Sequence, residues 1–212
     1  QMISIIQRPD KISFETFKSI NGHSRAMKIS NVTDEEENSS TIRMSNKIRE
    51  TISVPYISED LMTLEKVDKV ESFDEQLKKE TVEMLNVMRL SKGVGLAANQ
   101  VGLNKRIFVM ECSKDKDEYI FINPEIINFT KEEMLNEEGC LSFPELYIGV
   151  NRKKEVLLKW QDINGKFHEE WFKELESICI QHELDHLNGI VFVNRLKPTK
   201  KQLVLNKYMK KK

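Results

Sequence analysis

The stretch Gln181–Gly189 reads QHELDHLNG and carries the pattern His182-Glu183-x-x-His186. Residues four apart on a helix share a face, with Cβ atoms roughly 5–6 Å apart. Two imidazoles at that spacing can meet one metal ion, each through an N–metal bond of about 2 Å. Glu183 sits one step round the helix, close enough to take a proton from a water activated at that ion. The helix is predicted from about Lys173 to Asn188, with Gly189 ending it. Leu175, Ile178 and Cys179 precede His182 on its own face and give the metal side an apolar wall. Ile180, Leu184 and Leu187 lie on the other faces. A helix apolar nearly all round belongs in a core. Two histidines and a glutamate there are expensive unless paired or metal-bound.

This pattern supplies two ligands, and a working site needs a third plus an open position. From Leu187 to Lys212 there is no Asp, Glu or His, so the third ligand must come from upstream. Cys140, in Glu137-Glu138-Gly139-Cys140-Leu141-Ser142, is one candidate. A metal deprotonates a thiol outright, and the neighbouring glycine lets backbone approach closely. From spacing alone His168 or an acidic residue competes equally. Cys112 is expected in the core, Cys179 in a pocket wall or the core, and His23 in solvent.

The remaining chain sets bounds. Hydrophobic residues make up 39% and charged residues 32% of 212, with a net charge of -1. That is a globular composition and excludes a globally basic, nucleic-acid-coating protein. No run approaches transmembrane length, and Gln1–Ile6 is too short and weakly apolar for a signal peptide. Three cysteines in a chain this long argue against a disulfide scaffold and for a reducing compartment.

Residues 1–53 are polar, with an acidic run at Asp34–Glu37, and read as a largely disordered extension. A catalytic domain is expected over 54–196. Ser72 and Glu75 suggest a capping box for a helix carrying Leu77, Thr81, Met84, Leu85 and Met88, stopped by Gly93. Strands are expected at Arg106–Cys112 and at Tyr119–Phe129, the latter broken by Pro124. A hairpin is expected over Glu155–Phe172, turning at Asn164-Gly165. Helix, several strands, then helix indicates α+β rather than a parallel α/β sheet. The tail 197–212 holds seven lysines and no acid; it is expected to be frayed and solvated, or helical.

Gly93–Gln100 reads GVGLAANQ. A dinucleotide fingerprint would need a strand before it and a helix after it, whereas it follows the end of a helix. It reads instead as a cap and turn, or as a loop laid against a substrate with Gln100 offering an amide donor.

GVGLAANQ, EGCLS and QHELDHLNG, in that order, resemble the three signature motifs of peptide deformylases, over about Val54–Leu196. The resemblance implies antiparallel or mixed β-sheets around a buried C-terminal helix bearing the histidines. It implies Cys140, His182 and His186 as ligands of one divalent metal, Fe(II) foremost, with Zn, Co or Ni as alternatives. It assigns Glu183 as general base and then acid, and Gln100 with the Leu141 backbone N–H as the oxyanion hole. It places Val94, Glu138, Leu175, Ile178 and Cys179 around a methionine side chain, and Gly95 on the peptide backbone. The implied substrates are formyl-methionyl nascent peptides, and the ribosome is a candidate partner for the Lys-rich tail.

Some positions depart from the family pattern. Asn99 replaces a frequent proline, a difference expected to matter little. Leu146-Tyr147 replace polar or basic residues, and Asn194 a common aspartate. The extension and a bias to Lys, Asn and Ile resemble organellar members from AT-rich genomes, such as those of a malaria parasite's apicoplast. The competing readings are an H-E-x-x-H metalloprotease and a non-catalytic ribosome-binding module.

Overall fold

The computed structural model describes residues 65–112 and 118–210, together with the backbone of three strands at 13–18, 25–30 and 54–56. These strands, β1 (Ser13–Lys18), β2 (Arg25–Ser30) and β3 (Val54–Tyr56), pair antiparallel in that order. Strands β1 and β2 fall within the stretch expected as an extension. The rest of that stretch, His23 included, lies outside the described residues.

Helix α1 (Glu75–Leu90) buries Leu77, Thr81, Met84, Leu85 and Met88, as their spacing requires. Its start differs from the expected box. The cap is Asp74, whose Oδ1 accepts from the Leu77 N–H at 2.9 Å, while Ser72 Oγ only donates to Asp74 at 3.2 Å. Asp74 stands three residues before that N–H, the distance a capping side chain spans. The stop differs too. Lys92, not Gly93, takes the left-handed conformation, with φ of 55°. The Lys92 N–H bonds the Arg89 carbonyl and the Gly93 N–H the Met88 carbonyl, a Schellman closure with lysine at the usual glycine position.

Next come β4 (Gly95–Ala97), a 3-10 turn (Ala98–Val101), β5 (Ile107–Met110), β6 (Tyr119–Phe129), β7 (Glu133–Cys140) and β8 (Phe143–Lys153). After them come β9 (Glu155–Gln161), β10 (Phe167–Lys173), α2 (Glu174–Leu187), a second 3-10 turn (Phe192–Arg195) and α3 (Pro198–Met209). Five strands form one sheet in the order β10-β9-β6-β5-β4, and β7 pairs with β8 alone. The class is α+β, and every described strand pair is antiparallel. Pro124 does not break β6. The strand runs through it with register shifts between Ile122 and Glu125 and between Ile126 and Asn128, and Asn123 sits at φ 52°. A bulge absorbs the missing N–H that proline cannot contribute to the ladder.

Strand β5 explains the layering. Phe108 and Met110 join a core with Cys179, Ile180, Leu184 and Leu187 of α2. Ile107 and Val109 join another with Leu77, Met84, Leu85 and Met88 of α1. Alternate residues of a strand face opposite sides, so an unbroken apolar run is buried on both. A third core joins β7–β8 to α3 through Cys140, Phe143, Phe192, Leu205 and Tyr208. The basic tail is therefore not a frayed end over 198–209: one side of α3 is packed.

Candidate metal centre

Helix α2 runs through the molecule with Ser177–Cys179, Ile180 and His182–Leu187 buried. It stops where expected. Gly189 takes φ 77°, its N–H bonds the His186 carbonyl at 2.9 Å, and the Ile190 N–H bonds the Asp185 carbonyl at 2.8 Å. Helical spacing places His182 Nε2 and His186 Nε2 3.1 Å apart, with rings crossed edge to face.

Cys140 is the last residue of β7, where the register with β8 shifts. Its Sγ lies 3.2 Å from His186 Nε2. The ligand atoms of Cys140, His182 and His186 all lie within 4.8 Å of one another, and all three residues are buried. The competitor His168 is elsewhere. It sits on β10, bonded to Asp162 Oδ2 at 2.8 Å and stacked on Trp160.

The two imidazoles are held at opposite extremes. Burial opposes charge on His182, but Cys140 and Glu138 outweigh it and hold that imidazole well above its ordinary pKa. Burial and the neighbouring His182 push His186 well below. His186 Nδ1 is buried without a hydrogen bond among the described residues.

Behind the cluster lies a chain of buried charge that sequence reading missed. Glu138 Oε2 is 2.8 Å from His182 Nδ1. Arg152 grips both Glu138 oxygens, Nε to Oε1 at 2.7 Å and Nη2 to Oε2 at 2.9 Å, and bonds Asp185 at 2.6 Å. Asp185 is held in turn by Arg195. A carboxylate on the far nitrogen of a ligand histidine fixes its tautomer and ring orientation. Asp185 is legible as the remaining acid of HELDH; nothing in the strand sequence marks Arg152.

Strand β4 and the 3-10 turn bring the glycine segment to the same place. Gln100 Oε1 accepts from the Ala97 N–H at 2.9 Å, which aims Nε2 at Cys140 Sγ, 3.7 Å away, and Ser142 Oγ, 3.2 Å away. Glu183 is 2% exposed, and its Oε2 has no hydrogen bond among the described residues. Burial pushes its carboxyl up to about 7.

The polypeptide deformylase family model matches residues 54–202, which include every residue of this cluster. The chain belongs to that family. The peptide deformylase of Chromobacterium violaceum is 46% identical over 157 residues, covering 74% of this chain and 92% of that protein. A peptide deformylase structure from Legionella pneumophila superposes with a TM-score of 0.67 at 36% identity, over 73% of this chain and 91% of the other. One from Plasmodium falciparum gives 0.66 at 36%, over 73% and 92%.

Glu138, expected around the methionine side chain, has a fully buried carboxylate held by Arg152 and His182. Cys179 and Gly95 do meet beside Glu183, and the Cys179 thiol points to the Val94 carbonyl at 3.7 Å. Ile178 is buried on α2 and Leu175 half-buried a turn before it. Leu141 is half-buried against the α1 core. Asn99, expected to matter little, bonds the His186 carbonyl at 2.5 Å and that of Glu65 at 3.0 Å.

Proposed function

We propose that this chain hydrolyses the formyl amide of N-terminal formyl-methionine on nascent polypeptides, releasing formate and a free amine. The observation that carries the proposal is the convergence of Cys140, His182 and His186 beside buried Glu183. One thiolate and two imidazoles form a mixed S/N donor set, suited to Fe(II), Zn, Co or Ni rather than to Mg or Ca. Fe(II) is the ion proposed here, on the resemblance. When bound, the ion supplies Lewis acidity, polarising the formyl carbonyl and lowering the pKa of a coordinated water.

The chain's own residues do the rest. Glu183, with its carboxyl near 7, accepts the proton of the attacking water and later delivers it to the departing nitrogen. Gln100 Nε2 and the Leu141 backbone N–H donate to the carbonyl oxygen as charge develops on it. One such donor typically lowers the barrier by about 3–4 kcal/mol. Val94, Glu138, Leu175, Ile178 and Cys179 line the place of the methionine side chain, and Gly95 offers backbone to the peptide. Glu138 orients His182.

Helix α3 buries Leu205 and Tyr208 and leaves Lys197, Lys200, Lys207 and Lys210 exposed. This supports a salt-dependent contact with ribosomal phosphate that brings the enzyme to its substrates. No described helix is long and apolar enough to cross a membrane. Formyl-methionine starts chains in bacteria and in organelles with bacterial-type translation. An apicoplast or plastid is the proposed location, with a bacterial cytoplasm as the alternative.

The test is formate and free-amine release from a short formyl-methionyl peptide by Fe(II)- or Co(II)-loaded protein under anaerobic conditions. An acetylated peptide and an internal-bond peptide serve as controls. Release from the formyl peptide alone, abolished by chelator, is expected. Cleavage of the internal bond would establish a metalloprotease instead.

A further inference from the structure

Asn99 lies between Ala98 and Gln100 in the first 3-10 turn. Its Nδ2 donates to the His186 carbonyl at 2.5 Å and to the Glu65 carbonyl at 3.0 Å. Two carbonyl acceptors settle which way the amide points, because the flipped group would set Oδ1 against both oxygens. In the orientation found, Oδ1 is buried and takes no hydrogen bond among the described residues. An unpaired buried acceptor costs about 1–3 kcal/mol. The amide is thus held by its donor end alone, and its placement is decided by the two carbonyls.

The groups on either side of this contact belong to the candidate site. Next to Asn99, Gln100 aims Nε2 at Cys140 and Ser142. At the other end, His186 places Nε2 3.2 Å from Cys140 Sγ. The His186 carbonyl also accepts from the Gly189 N–H at 2.9 Å, and the Val67 N–H bonds the adjacent Leu187 carbonyl at 3.3 Å. Three segments distant in sequence, Glu65–Val67, Asn99–Gln100 and His186–Gly189, are therefore tied at the last turn of α2. The 3-10 turn makes no other side-chain bond to that helix among the described residues.

We infer that Asn99 is a positioning residue: by gripping the His186 backbone it holds Gln100 in register with the Cys140–His182–His186 cluster. It touches neither substrate nor metal. This rests on the oxyanion role proposed for Gln100. A small displacement of one donor relative to the reacting atoms is enough to slow a reaction, since misplacement of about 1 Å can cost on the order of a hundredfold.

The test is a double-mutant cycle on Co(II)-loaded protein with Asn99→Ala, Gln100→Ala and both changes together. Asn99→Ala should lower kcat about tenfold with KM within about twofold of wild type, the expectation for a partly misplaced transition-state donor. Co(II) affinity, read from the visible absorption of the metal, should stay at the wild-type value. In the Gln100→Ala background, the Asn99 change should cost nothing further. Amide hydrogen exchange at Gln100 should be faster in Asn99→Ala. Should Asn99→Ala not fold, Asn99→Leu, which keeps the volume and removes the donor, takes its place. Wild-type kcat in the single variant, an equal loss in the Gln100→Ala background, or a loss explained by weaker Co(II) binding would each overturn the inference. Wild-type kcat for Gln100→Ala itself would overturn the role of Gln100, which is a separate result.

Discussion

The Cα of Gly95 stands directly against the Glu183 carboxylate. A Cβ at that position would lie 2.5 Å from Glu183 Oε1 and 2.6 Å from Cys179 Sγ. The glycine is there for close approach and not for a left-handed turn, since its φ is not positive. Gly95→Ala should push Glu183 off its position and lower kcat on the order of a hundredfold. Metal content, measured by atomic absorption, should be unchanged. An alanine variant with wild-type turnover would mean that the Glu183 position is not critical.

Glu183→Ala should keep its metal and lose turnover by about 10²–10⁴, the usual contribution of a positioned acid–base group. Single-turnover kinetics on metal-replete protein reads this. Wild-type rates from such protein would remove Glu183 from the mechanism.

Arg152→Ala should destabilise the fold by about 3–5 kcal/mol, because it leaves the buried Glu138 carboxylate with His182 as its one remaining partner and removes one of the two arginines on Asp185. Urea titration measures it. The pH dependence follows in sign. Burial raises Glu138, but the bonds from Arg152 and His182 outweigh it and bring it down to about 2. A folded pKa below the unfolded one contributes stability that is complete above the unfolded value. That contribution should therefore be full above about pH 4.3 and fade as pH falls toward 2 in the wild type. In Arg152→Ala the arginine's share of that lowering is lost, so the acid transition should move to higher pH.

Leu205→Ala should cost about 2–5 kcal/mol, as for other buried leucines, because α3 completes the core over Cys140 and Phe143. Exchange of Lys200 or Lys207 for Gln should leave thermal stability unchanged, both lysines being exposed. An unaffected melting temperature in Leu205→Ala would mean that α3 is dispensable to the fold.

Chelation should lower the melting temperature as well as abolish activity. A ligand that binds only the folded state stabilises it by about 4 kcal/mol at a thousandfold excess over Kd. Re-addition of Co(II) should restore both, and Cys140→Ala should respond to neither.

Much of the secondary structure was legible because local physics decides it. The α2 helix, its glycine stop, the Asn164-Gly165 turn and the two-faced β5 strand follow from apolar period and turn chemistry. The misreadings have local causes too. Asp74 outcompeted Ser72 as a cap by standing nearer the N–H, a lysine accepted the left-handed position ahead of Gly93, and a bulge carried β6 past Pro124. For α3, lysine count described one face and the helical spacing of Leu205 and Tyr208 decided the other.

The sequence by itself determined that His182, Glu183 and His186 share one buried helix, since a spacing of four residues needs no tertiary information. It could not choose between Cys140 and His168, because both reach the helix from other elements, and which strand residue meets it is set by tertiary packing. The structure places Cys140 at the histidines and His168 against Asp162. Nor could the sequence show that Glu138 serves His182, that Arg152 neutralises Glu138, or that Asn99 reaches the His186 carbonyl. Those contacts join strands and turns far apart in the chain, and only packing brings such groups within hydrogen-bond distance.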